Sequence, residues 1–494
     1  VCLEFIDRAH EKSLTGNSAL LRSSFYLVKL ITSDFLPRLD HACLICMIET
    51  IGKYCVQPDD LNISLTSVGL IWDLSDFLRL NGSSENLDAF LVWTTALHLL
   101  YRLSIDSRPE LRNGSVQTLI KTLELFSVTL SPHQWDTILN EVVHPLYISV
   151  QEAAEAVEPE PVNSSTGSLI HHSRDTVEKQ WDETLVLMIQ GTVRLFSEFL
   201  KFLEPLSNFP KYWNYLLELL DRSCSPEKST EVVGVAIPCF KHCVKSLPIG
   251  SIVWRSTWET WIRMSKHLQT SNNYTQATLE CYVTCFQNFY SSSFPKNPSI
   301  VWLKESFDAL DSALCCSSSQ DRINDVEEVS PLQKLILEQI SLIDFDSEEF
   351  GLDAKNIFIK LAANWINLAG ELRSLEMTRK ESIRRPRQSQ LPSRTGTPPP
   401  SNHRGQVASY VALSVEVLGI FKINYGKWKD DSEFYTKAFP SMILSIGRLM
   451  VLKYKAVSRN KGLQTWIVAT SAFNRIIEMA PKKFLNLNCW KIIV

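Results

Sequence analysis

The sequence predicts an all-α protein, an α-solenoid of HEAT/armadillo-like helical repeats, on three observations. Apolar residues recur at helical spacing in most windows, strict apolar/polar alternation over strand lengths is rare, and the helix-sized blocks are separated by short Pro, Asn or Ser turns. Glycine is scarce, 17 residues among 494, while 45% of residues are hydrophobic, which disfavours glycine-rich phosphate loops and glycine-punctuated β-sandwiches. Helices this numerous must stack in pairs, and a right-handed array of antiparallel pairs is the economical arrangement. No strict self-similar period is visible, as befits HEAT-type repeats, which are degenerate at about 40 to 47 residues.

The elements divide into five segments. Residues 1–156 read as N-terminal helical repeats, 157–175 as a polar loop, 176–375 as central repeats, 376–406 as a disordered basic Pro-rich loop, and 407–494 as C-terminal basic repeats. The chain opens on Val1 without a signal-type or transit-type segment, so it is expected to be a piece of a longer protein. Its longest apolar stretches, such as FLVWTTALHLLYRL from Phe90, are interrupted before the roughly 18 to 20 apolar residues that a membrane-spanning helix needs.

Twelve cysteines in so long a chain do not make a small secreted disulfide scaffold. Cys43 and Cys46 in HACLICMIET, and Cys281 and Cys285 in LECYVTCF, stand in apolar runs and are expected to be buried free thiols of a cytosolic protein.

The stretch DSRPELRNGSVQTLIKTLELF, Asp106 to Phe126, is a charged turn leading into an amphipathic helix. Ser107 followed by Glu110 fits a capping box, Pro109 suits the first turn, and Val116, Leu119, Ile120, Leu123 and Phe126 form the face to be buried. Arg108 and Arg112, four apart, should project together toward Asp106 or toward acids of an adjoining repeat. Asp106, Arg108, Glu110 and Arg112 are thus expected to form a structural network at a repeat turn, not a catalytic constellation.

Further along, Ser131-Pro132 marks the start of a helix bearing Trp135, Ile138, Leu139, Val142 and Leu146. Leu185, Ile189, Val193, Phe196, Leu200 and Leu203 trace a second stripe, and Trp466, Ala469, Phe473, Ile476 and Ile477 a third. Trp254, Trp258 and Trp261 fall on one helical face and read as core or an inter-repeat seam, with an exposed recognition strip as the alternative.

The formal net charge of -4 hides a polarity. From Glu376 to the end there are 20 Lys plus Arg against 7 Asp plus Glu, whereas the preceding residues hold 30 against 47. Lys453, Lys455, Arg459, Lys461, Lys482 and Lys483 make the last region a candidate surface for an acidic partner or an anionic membrane. Arg379 to Gly405 is nearly free of apolar residues and should stay disordered, either solvated, with Ser393, Thr395 and Thr397 open to phosphorylation, or touching lipid. Nucleic acid is not expected, because the body is acidic and no binding motif accompanies the arginines.

Chemistry finds no foothold in the motifs. Gly-x-Ser-x-Gly, Walker-type and His-Glu-x-x-His patterns are all missing from the sequence, so no enzyme and no cofactor are expected. Cys43-x-x-Cys46 near His41, and Cys239, His242 and Cys243, lack a second pair at zinc-site spacing, so no metal is expected either.

The segments PELRNGSVQTL, LSPHQWDTILNEVVHPL, WDETLVLMIQGTVRLFSEFL from Trp181 and WRSTWETWIRM from Trp254 resemble the HEAT-like regions of the large Arf guanine-nucleotide exchange factors. Within that group they are most similar to the Mon-two family, specifically over Leu97 to Leu203 and diffusely to Leu310. Gly114 departs from that pattern, standing in mid-helix where a better helix former is expected. The resemblance implies a non-enzymatic cytosolic scaffold without an exchange domain, peripheral on trans-Golgi network and endosome membranes. It further implies a Dopey-family partner and, through it, a lipid flippase. Direct membrane binding and regulation of an Arf-like small GTPase are the alternatives.

Overall fold

The computed structural model describes residues 2–13, 17–81, 87–157, 176–271, 273–293, 300–316, 329–343, 345, 353–367, 411–451 and 465–481, and every regular element among them is a helix. The expected loops 157–175 and 376–406 fall almost entirely outside this set. So do Lys453, Lys455, Arg459, Lys461, Lys482 and Lys483. The chain separates into two compact units, 1–260 and 261–494.

In the first unit, α1 (Cys2–Ser13) pairs with α2 (Ser18–Asp34), α3 (His41–Val56) with α4 (Leu61–Asn81), and α5 (Leu87–Leu103) with α6 (Pro109–Phe126). A fourth first-layer element follows: α7 (Pro132–Ile138), a π-helical turn (Leu139–Val143) and α8 (His144–Glu155). It packs on α9 (Val177–Glu198), which the one-turn α10 (Leu200–Leu203) follows, and α11 (Phe209–Ser223) pairs with α12 (Thr230–Ser246). The first helices begin at 2, 41, 87, 132 and 209, the spacing of HEAT-type repeats except where the fourth pair contains the 157–175 loop. The second helices form their own row, α2 on α4, α4 on α6, α6 on α9 and α9 on α12. The periodicity therefore lies in helix pairs, not in residue identities.

Local chemistry starts and ends these helices. Asp40 caps α3 by accepting from the Cys43 N–H at 2.7 Å. Ser131 and Gln134 form a reciprocal capping box at α7, and Thr176 and Ser229 cap α9 and α12. The helix expected from Trp135 to Leu146 widens into a π turn just ahead of Pro145. A proline ring collides with the carbonyl four residues back and donates no bond, and the wider turn absorbs both defects. The stripe from Leu185 to Leu203 likewise breaks at Phe199, between α9 and α10.

Three expectations are corrected. The capping box at Ser107 does not form: Arg108 is the N-cap of α6 and gives no side-chain cap, while Asp106 accepts from the Arg108 N–H at 2.9 Å and turns the chain into the helix. Cys43 and Cys46 are exposed, because α3 buries Leu44, Met47, Ile48, Ile51, Tyr54 and Cys55 and leaves the two thiols on its other face. Cys285 is buried and Cys281 partly so. Of the three tryptophans, Trp258 and Trp261 are core residues, and Trp254 is only half-buried.

The second unit begins within α13 (Trp254–Thr270) and continues with α14 (Gln276–Ser293), α15 (Ile300–Leu314), α16 (Pro331–Ser341) and α17 (353–367). It then contains α18 (Val411–Trp428), α19 (Ser432–Lys437), α20 (Phe439–Val451) and α21 (Thr465–Met479). Trp261 stacks on Tyr282 with ring centres 5.2 Å apart, and each donates to the other's backbone carbonyl, at 3.1 and 2.9 Å. Trp365 donates to Asp311 at 2.6 Å, which ties α17 to α15. An aromatic cluster of Tyr425, Phe434, Tyr435 and Phe439 fixes α18 against α19 and α20, with the two tyrosine hydroxyls 2.7 Å apart.

Candidate protein-binding surface

The turn before α6 is built on Arg108. Its guanidinium donates to both carboxylate oxygens of Asp106, at 2.9 and 3.1 Å. It also reaches back to the carbonyls of Cys55 and Gln57 at 3.0 and 2.8 Å and to the Ser64 hydroxyl at 3.2 Å. One planar fork thus closes the end of α3 and the start of α4 against the entry to α6. Burial acts to raise the Asp106 carboxyl, but the bonds from Arg108 outweigh it and hold the group below the usual carboxylate range. The Arg108 guanidinium is correspondingly raised, first by its bond to Asp106.

Arg112 turns the other way. It is 1% exposed, donates to the Thr184 hydroxyl on α9 at 2.8 Å and to the Asp106 carbonyl at 2.9 Å, and lies over the Trp181 ring at 3.9 Å. Burial lowers its affinity for a proton, against the pull of Asp106, Glu110 and Glu183. The Thr184 hydroxyl in turn donates to the Asn113 side-chain oxygen at 2.6 Å. The two arginines therefore diverge instead of projecting together, one serving the α3–α4 turn and the other the α6–α9 contact. Glu110 stays exposed in the first turn of α6, where a carboxylate favours the helix dipole. Sequence reasoning missed Gly191, where a Cβ would come within 2.7 Å of Ile120, so only glycine lets α9 approach α6 this closely. Gly114, which stood out in the sequence, has ordinary space, its nearest neighbour being Leu65 at 4.0 Å.

Polar ladders cross most junctions between first-layer helices. Lys53 pairs with Asp7 at 2.7 Å between α3 and α1, and Tyr101 meets Ser149 at 2.9 Å between α5 and α8. Between the fourth element and α11, Tyr212 donates to Asp136 at 2.5 Å, His144 stacks on Tyr215 at 3.5 Å, and Glu155 receives Arg222 and Lys228. Between α3 and α5 the surface instead opens as a groove of about 440 Å³. Ile48, Val56, Leu99 and Leu103 make its apolar walls, and Gly52 lets Leu99 close its floor, since a Cβ there would lie 3.1 Å from Leu99. Lys53 on its edge is neutralised by Asp7, and Asp106 at its end by Arg108. Glu49, His98 and Arg102 line it with no ion-pair partner among the described residues. No signal in the sequence points to this groove, because its two walls are 46 residues apart at the starts of α3 and α5.

Among the described residues no group of three or more His, Cys, Asp or Glu is placed to hold a metal ion. Cys243 is buried while His242 is exposed, so Cys239, His242 and Cys243 do not share one face of α12. No described helix is long and apolar enough to cross a membrane.

Stacked antiparallel helix pairs, polar turns tied up in packing and a groove between first-layer helices define a HEAT-like α-solenoid. Residues 33–88 and 85–260 match the family described as the C-terminal region of Mon2 protein. Over that stretch the resemblance to the Mon-two family holds, and it reaches further toward the N-terminus than the segments from Leu97 that first carried it. The chain is 33% identical over 256 residues to the Protein MON2 homolog of Xenopus laevis, covering 46% of this chain and 15% of that protein. It is 31% identical over 256 residues to the Protein MON2 homolog of Homo sapiens, with the same coverage of 46% and 15%. A Brefeldin A-inhibited guanine nucleotide-exchange protein 2 of Arabidopsis thaliana is 27% identical over 157 residues, 32% of this chain and 8% of that one, which relates the chain to the large Arf exchange factors. The chain thus spans about 15% of the length of the MON2 homologs it matches.

Proposed function

We propose that this chain is part of a non-enzymatic scaffold of Golgi and endosome membrane traffic, docking a Dopey-family protein and through it a lipid flippase. The observation that carries the reading is the match of residues 33–260 to the Mon2 C-terminal region, on an array whose turn charges are used in packing. Long helical arrays act by presenting surface, and the charged residues singled out by sequence, Asp106, Arg108 and Arg112, hold neighbouring repeats in register. The cytosolic face of trans-Golgi and endosome membranes is the place such a scaffold would work.

Size-exclusion chromatography with light scattering tests the partner. The chain mixed with the N-terminal region of a Dopey-family protein should elute as a stoichiometric complex. Separate elution of two well-folded components would remove that partner from the proposal.

The excess of Lys and Arg from Glu376 to the end, 20 against 7 acids, favours a second reading, in which this region meets anionic membrane directly. Flotation with phosphatidylserine-containing vesicles should then exceed flotation with neutral vesicles and fall with salt. Regulation of an Arf-like GTPase has only the relation to exchange factors behind it, and a nucleotide-exchange assay without acceleration would close it.

A further inference from the structure

We propose that the groove between α3 and α5 seats an amphipathic helix of a protein partner, its apolar side chains on the groove floor and an acidic side chain at the end marked by His98 and Arg102. The proposal rests on the scaffold reading above and adds to it a place and a recognition chemistry.

Shape comes first. The backbone donors and acceptors of α3 and α5 are consumed within the helices, so a guest must be recognised through side chains and not by strand addition. Ile48 to Val56 span eight residues of α3, a length of about 12 Å at 1.5 Å per residue. A guest helix spreads anchors at positions i, i+4 and i+7 over about the same distance. Gly52 and Leu99 close the floor, the missing side chain letting Leu99 of α5 lie against α3.

The surroundings extend this apolar floor. Val56 on the groove wall is 56% exposed, and so is Leu91, one turn before Thr95 on α5. Leu91, Thr95, His98 and Arg102 follow one another at spacings of four, three and four along the open face of α5. Scattered apolar residues on a surface need no explanation, but an apolar residue as exposed as Val56 on the wall of a concave floor does.

Charge fixes the direction of the guest. With Lys53 paired to Asp7 and Asp106 to Arg108, the formal charges left to the groove are Glu49 toward one end and Arg102 toward the other. A guest with a basic residue at the Glu49 end and an acidic one at the Arg102 end is matched, and the reversed helix is opposed at both.

The test uses the full chain and a fluorescein-labelled 18-residue helical peptide, with Leu at i, i+4 and i+7, Lys at one end and Glu at the other. Its twin has the two charges exchanged. Anisotropy should show saturable binding of the first peptide, weakened at least tenfold by Thr95→Trp, which fills the groove, and by Arg102→Glu. Lys29→Glu on the exposed face of α2 should leave it unchanged. The exchanged peptide should bind the wild type less well and regain affinity on Arg102→Glu, which a misfolded variant would not allow. Absence of saturable binding to the wild type, or equal binding by the Thr95→Trp and Arg102→Glu variants, overturns the proposal. The N-terminal region of a Dopey-family protein is then added as competitor. If it binds without displacing the peptide, the scaffold reading stands and the groove is not its seat. If the peptide binds and the Dopey-family region does not, the groove stands and the named partner falls.

Discussion

Arg112 on α6 and Trp181 on α9 are stacked, guanidinium carbon to ring centre 3.9 Å, and both are nearly excluded from water, at 1% and 8% exposure. No carboxylate lies within ion-pair distance of Arg112 among the described residues. The cation is held by neutral oxygens and by the face of an indole, a cation–π contact in a desolvated site.

Truncating either partner should therefore be costly. Arg112→Ala leaves Thr184 without its donor and opens space at the α6–α9 contact, and is expected to destabilise by about 3 kcal/mol. Trp181→Leu alone should cost less, and the double variant should recover about 1 to 2 kcal/mol relative to the sum. Urea midpoints followed by far-ultraviolet circular dichroism give both quantities, and strictly additive losses would exclude the stacking as a source of stability.

The two glycines of the α6–α9 region should respond oppositely. Gly191→Ala places a methyl 2.7 Å from Ile120 and is expected to cost about 1 to 3 kcal/mol. In an Ile120→Ala background that cost should largely vanish. Gly114→Ala meets nothing closer than 4.0 Å and should stabilise by about 0.5 to 1 kcal/mol through helix propensity. Thermal melts of the four variants decide the point.

Arg108→Lys should loosen the α3–α4 turn although the charge is kept. A lysine cannot span Asp106, Cys55, Gln57 and Ser64 together, so about 1 to 3 kcal/mol is expected to be lost. Hydrogen exchange should show faster exchange at the start of α4 and of α6, with α9 unaffected.

His10 gives the first unit a pH dependence. It is 5% exposed, edge-on to Tyr54 with ring centres 4.8 Å apart, and close to Asp7 and Lys53. Burial, helped by the positive charge of Lys53 and opposed by Asp7, holds its pKa below the ordinary 6.5. On acidification the unfolded chain takes up this proton first. The contribution is complete above pH 6.5 and is lost as pH falls from there through the lower folded value. Urea midpoints between pH 8 and 5.5 should fall more steeply for the wild type than for His10→Phe.

Asp311 in the second unit carries the opposite sign. Burial raises its carboxyl above the ordinary 3.8 in spite of the bond from Trp365, so ionisation opposes folding as pH rises through and above that range. Asp311→Asn keeps an oxygen for Trp365 and removes the charge. It should stabilise at pH 7 and lose that advantage near pH 3.5, which melts at the two pH values would register.

The sequence by itself determined the helices, the start of α7 at Ser131-Pro132, and the all-α class. Hydrophobic spacing of 3.6 residues and side chains that cap backbone N–H groups act within one or two turns, so they are legible in a single strand of text. The grouping of Asp106 with Arg108 was legible for the same reason, being a contact two residues long. Tertiary structure alone decided what each face meets. Cys43 and Cys46 sit in an apolar run yet face outward, because α3 turns Leu44, Met47 and Ile51 toward its neighbours. Arg112 pairs with Trp181 and Thr184, about 70 residues away. Gly191 matters only because Ile120 arrives opposite it, and the α3–α5 groove exists only because helices from successive pairs lie side by side. Such contacts depend on which helix packs on which, a choice set by the burial of whole faces and by loop lengths, not by the neighbours of a residue in the chain.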